Sequence, residues 1–62
     1  MTHQHYTVQK VPGGNRWEVL SDGHRVSKHN SKSNAVQKAR DLMDRNDTGT
    51  VKKANGRFQK RL

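Results

Sequence analysis

One stripe of apolar residues constrains this chain more than any other feature. In SKSNAVQKARDLMDRN, Ser31 to Asn46, the residues Ala35, Val36, Ala39, Leu42 and Met43 stand at offsets 0, 1, 4, 7 and 8. That spacing lines them along one side of an amphipathic helix, predicted over about Lys32 to Asn46. Ser31 is the expected N-cap, its hydroxyl accepting a free amide of the first turn. Asn34 stands where a capping box would place Glu or Gln, so the box is incomplete. Arg40–Asp44 and Asp41–Arg45 have the spacing of i,i+4 ion pairs on the outer side. A lone helix cannot bury its stripe against itself. Its cover must be a sheet, which makes a two-layer fold.

The remaining sequence supplies the strands. HYTVQKV, His5 to Val11, alternates, with Tyr6 and Val8 on one face and Thr7 and Gln9 on the other. PGGN is turn chemistry. RWEVLS alternates again, with Trp17 and Val19 opposed to Arg16 and Glu18. The short connection predicts an antiparallel hairpin. Asp22-Gly23 marks another turn, and HRVSKHN reads as a short third strand carrying Val26. NDTG stops the helix. TVKKA and RFQKR then flank Asn55-Gly56. A two-residue type I′ turn there pairs Ala54 with Arg57 and Lys52 with Gln59. Val51 and Phe58 then share a face, whereas a three-residue loop closing on Gly56 separates them. Burying both favours the two-residue turn.

The order β-β-(β)-α-β-β therefore predicts an α+β fold, an antiparallel β-sheet with one amphipathic helix packed across one face. Tyr6, Val8, Trp17, Val19, Val26, Val51 and Phe58 should meet the helical stripe. YTVQKVPGGNRWEVLSDGHRVSKHNSKSNAVQKARDLM followed by GTVKKANGRFQKR resembles the small bacterial family of domain of unknown function 2188. The matching positions are Gly14, Trp17, Val19, Ser31, Ala35, Ala39, Val51, Gly56 and Phe58. The sequence departs from the family at Asn34, where an acid is more usual, and in its stronger basic excess. The resemblance implies this fold and a cytoplasmic bacterial or phage setting. It implies no activity.

Sixty-two residues make one domain, 1–62, and a chain this short buries only about 60% of its unfolded surface. Apolar residues are 27% of the sequence, and three of them are alanines. Low hydrophobicity with net charge +8 is also the composition of disordered chains, but the two periodicities argue for a fold. There is no cysteine, hence no disulfide or thiolate site, which suits a reducing compartment. No apolar run reaches the roughly 18 residues of a membrane span. MTHQHYTVQK lacks a signal pattern. The expected location is the cytoplasm, with no membrane partner.

Little in the chain suggests catalysis or a cofactor. His3 and His5 form an H-x-H pair, but zinc needs at least a third ligand, and His24 and His29 lie elsewhere. VPGGN lacks the spacing and lysine of a phosphate loop. No nucleophile–base order stands out, and so small a core leaves no room for a deep cavity. The expectation is a protein that is not an enzyme, with no metal and no cofactor. Trp17 and Tyr6 alternate with valines and read as core, not as base-stacking platforms.

Charge is what remains. Thirteen Lys and Arg face five Asp and Glu. Residues 31–46 carry +2 and the rest of the chain +6, so the excess lies off the helix. VKKANGRFQKRL holds Lys52, Lys53, Arg57, Lys60 and Arg61 and no acid. In the two-residue register Lys52, Arg57 and Arg61 project outward with Gln59. Lys53 and Lys60 start from the inner face and reach its margins. Arg16 extends the patch from the neighbouring hairpin, and Thr7 and Gln9 add neutral hydrogen-bonding groups. The expected function is a nucleic-acid-binding module (DNA or RNA) contacting phosphates with little sequence specificity. The alternative is a protein-interaction module, either a homodimer through sheet edges or an inhibitor of an acidic protein partner. A bland third reading is a solvated sheet whose edge lysines block aggregation.

Overall fold

Alternation and turn chemistry decide most of the chain. A computed structural model describes residues 4–62. Its strands are β1 (His5–Lys10), β2 (Trp17–Ser21), β3 (His24–His29), β4 (Thr48–Lys52) and β5 (Phe58–Arg61), with one helix, α1 (Lys32–Leu42), between β3 and β4. They form a single sheet in the order β3-β2-β1-β4-β5. The α+β class and the helix packed on one face are as the sequence predicts. One pairing differs. β4 lies parallel to β1, so the sheet is mixed and not wholly antiparallel. The helix causes this. It carries the chain back along the sheet, so β4 runs in the direction of β3, and two hairpins make β3 parallel to β1. Parallel neighbours need such a crossover.

The turns set the registers. Asp22 and Gly23 both take positive φ, 51° and 89°, which makes a two-residue type I′ turn between β2 and β3. Asp22 also accepts the His5 amide on its carboxylate at 3.1 Å, tying this turn to the start of β1. At the other end, Ser31 caps α1 by accepting the Asn34 amide at 3.2 Å.

The helix is shorter than its periodicity suggests and ends at Leu42, with Met43 already extended. The Asp44 amide bonds the Asp47 carboxylate at 2.9 Å, and the Asp47 amide returns to the Asp44 carbonyl. This local ring takes the chain out of the helix. Neither Arg40–Asp44 nor Asp41–Arg45 closes as an ion pair. Asp41 instead accepts from Gln37 at 3.0 Å.

The core comprises Tyr6, Val8, Val19, Ala35, Ala39 and Val51, all buried. Trp17, Val36, Leu42, Met43 and Leu62 pack around it, half-buried. The two alanines bring α1 close to β1 and β2. Two expected core residues lie outside. Val26 is 50% exposed because β3 bulges against Val19/Leu20, leaving Val26 without a cross-strand partner. Phe58 is 58% exposed because the last hairpin uses the other register.

That hairpin closes on three residues, Ala54, Asn55 and Gly56. The Lys53 amide donates to the Arg57 carbonyl at 2.7 Å, and the Gly56 amide to the Lys53 carbonyl at 2.8 Å. Gly56 takes φ 86°, the left-handed position such a loop requires. The Asn55 side chain accepts the Arg57 amide at 3.0 Å. A second irregularity at Val51/Lys52 gives the pairs Val51↔Lys60 and Lys52↔Phe58, with Gln59 as the extra residue. Val51 faces the helix, so Lys60 does too, while Phe58 lies opposite with Lys52.

Candidate nucleic-acid interface

The helix covers one side of the sheet. Among the described residues nothing packs on the other side, whose composition follows from the registers. One row crosses it as Lys28, Glu18, Gln9, Lys52 and Phe58. The next reads Arg25, Leu20, Thr7, Thr50 and Arg61. Four gaps between strands make the face roughly 19 Å wide. Cations stand at both edges, Arg25 and Lys28 on β3, Lys52 and Arg61 on β4 and β5. Hydroxyls occupy the middle. His5 lies at one end, its ring nitrogens meeting the Thr48 hydroxyl at 2.7 Å and the Thr50 hydroxyl at 3.2 Å.

The carboxylate on this face is Glu18. It is only 7% exposed. Gln9 donates to one of its oxygens at 2.7 Å, and the Arg25 guanidinium stands 3.9 Å from the other. A buried carboxylate so occupied offers little repulsion to an approaching anion. The outward potential is therefore set by Lys28, Lys52, Arg61 and the exposed side of Arg25.

The structure divides the six basic residues that the sequence singles out. Lys52 and Arg61 share the open face, as expected. Lys53 and Arg57 face each other across the base of the last turn, both exposed. Arg57 pairs with Lys53 and not with Ala54, so it alternates away from Lys52 and does not join the outward face as the two-residue register required. Arg16 is exposed at the end of the first turn, where its carbonyl accepts the Val11 amide at 2.8 Å. Lys60 lies on the helix side, in a shallow groove with Lys32 and Arg40. Gln59 also turns to the helix and accepts from Lys32 Nζ, not outward as the two-residue register required. Lys32 meanwhile lies 5.4 Å above the Trp17 ring. This cation–π contact occupies the exposed side of the indole.

Because β1 and β4 run in parallel, the turns that follow them leave the same end of the sheet. They flank an open cleft of about 630 Å³ lined by Lys10, Lys52 and Lys53 among neutral turn residues. Arg25 and Lys28 are the basic residues that sequence reasoning missed. Their signal was Glu18 on the preceding strand, which calls for a cation opposite. The bulge at Val26 brings Lys28 to that position. His3, half of the H-x-H pair, lies outside the described residues.

A family model described as "Uncharacterized protein conserved in bacteria (DUF2188)" matches residues 5–62. No curated protein and no solved structure matches the chain.

Proposed function

The chain belongs to the bacterial DUF2188 family, whose description assigns no activity, and we propose from its surface that it is a small nucleic-acid-binding module contacting phosphates. The observation that carries this reading is the open sheet face. Four cations frame it from both edges, and its carboxylate is sequestered. The hydroxyls of Thr7 and Thr50 between them suit phosphate and sugar oxygens. These groups position a backbone and read no base edges, so low sequence specificity follows.

A salt titration with a 15-base-pair duplex and a 15-nucleotide single strand tests the proposal. Each phosphate neutralised contributes a slope of about −0.9 on duplex and −0.7 on single strands in log affinity against log salt. Changing Lys28, Lys52 and Arg61 to Gln should flatten the duplex slope by roughly 2.7. Changing the helix cations Lys38 and Arg45 to Gln lowers net charge too, but should leave the slope nearly intact. Equal effects from both sets would point to net charge alone and sink the assignment to this face. If the wild type binds neither probe at low salt, the cations serve only to keep the sheet edges soluble.

A further inference from the structure

We infer that the open sheet face takes single-stranded nucleic acid, with Phe58 as the platform on which one base stacks. This rests on the reading above and names its partner more narrowly. The chain holds one phenylalanine and little apolar material, yet leaves that ring 58% exposed. The register forces the exposure. The three-residue loop sets Phe58 opposite Lys52, on the face away from the core. A hairpin closing on two residues would have placed it with Val51.

The ring's neighbours decide the occupant. Lys52 stands on the adjacent strand, roughly 5 Å away. Arg61 follows on the same strand and the same face, whereas Lys53 and Arg57, the next pair toward the turn, alternate to the other face. An aromatic face flanked by Lys52 and Arg61 fits an extended anionic chain whose flat groups are free to stack. Single strands offer this, because their bases are unpaired, and sheet aromatics are used in this way. A duplex keeps its bases stacked internally and presents only phosphates. A second copy of this chain would bring the same cations against their like. Trp17 is not the platform, since it faces the helix under Lys32.

The test compares the 15-nucleotide single strand with the 15-base-pair duplex for wild type, Phe58→Ala and Phe58→Leu. Stacking on one aromatic corresponds to roughly 5- to 150-fold in affinity. Phe58→Ala should lose that much on the single strand and almost nothing on the duplex, with the salt slope unchanged. Phe58→Leu keeps apolar bulk without the π-face and should fall with the alanine variant. Because the ring is exposed, thermal melts should verify that both variants fold. Full single-strand affinity in Phe58→Leu, or an unchanged affinity in Phe58→Ala, overturns the stacking role while leaving phosphate binding standing. Absence of binding by the wild type removes both readings. A wild-type dimer that Phe58→Ala converts to monomer assigns the ring to self-association and overturns the inference.

Discussion

Of the five glycines, Gly49 is the one with no room for a side chain. It is buried in β4, paired with Tyr6. A Cβ there would lie 2.8 Å from Met43 Sδ and 2.9 Å from Leu62 Cδ1. No real side chain tolerates such distances, so both Met43 and Leu62 must move. The two nearest atoms lie toward the ends of flexible, half-buried side chains that can swing aside, so we expect Gly49→Ala to cost about 1 kcal/mol, the low end of the overpacking range. Adding Met43→Ala removes one of the two clashes and gives Leu62 room to shift. The pair should then be less destabilised than the sum of the single changes in urea melts. Strict additivity would show that the two residues do not compete for one site. The contact also gives Met43 a role that periodicity alone did not suggest. It is the last residue of the stripe, but it packs from an extended cap against the neighbouring strand's glycine.

At the scale of elements, the last hairpin is the least supported. The backbone of α1 does not approach β5, whose residues are all exposed. Its order depends on β4 and on the turn. Gly56 at φ 86° is where an L-residue is strained, by about 1–2 kcal/mol. Gly56→Ala should therefore speed amide exchange at Lys53 and Leu62, both bonded within this hairpin, while Val8 and Val19 keep their protection. Uniform acceleration would instead make the hairpin part of the global folding unit.

The same hairpin shows where the sequence stopped being readable. Period-two alternation made β1 and β2 legible, and Ser31 with its stripe made the helix start legible, because one pattern fixed each. The face of Phe58 hung on a choice between two loops. Burial of an aromatic favoured the wrong one, since outward exposure leaves no local sequence mark. Val26 failed for a related reason. A bulge inserts one residue and reverses the faces beyond it, and nothing in HRVSKHN announces one. The site inherited these errors. Lys52 and Arg61 were placed correctly on alternation, as was Lys60 on the helix side, but Arg57 and Gln59 were turned to the wrong face, and Arg25 and Lys28 came into view only with the register.

For the whole molecule, charge and a small core act against each other. The folded chain concentrates a net charge of +8 within extents of 35 × 19 × 18 Å. Self-repulsion of this kind destabilises a compact state. Raising ionic strength from about 10 to 300 mM shortens the screening length from roughly 30 Å to below 8 Å. The free protein's Tm should rise over that range. A bound 15-nucleotide strand has the opposite dependence. At a hundred times its Kd it adds about 2.7 kcal/mol to stability. A domain of this size gains about 4–8 °C in Tm for each kcal/mol. Yet four phosphate contacts on a single strand carry a slope near −2.8, so the same salt increase removes roughly four orders of magnitude of affinity. Differential scanning at several salt concentrations should give two converging lines, rising for the free protein and falling for the complex. They should meet where binding is lost. Lines that coincide at every salt concentration would mean that the added strand does not bind the folded protein, and a constant offset would mean that its binding does not rest on charge. A falling line for the free protein would mean that its cations already stabilise one another's surroundings through local pairs such as Arg25 with Glu18, and that repulsion is not what limits this fold.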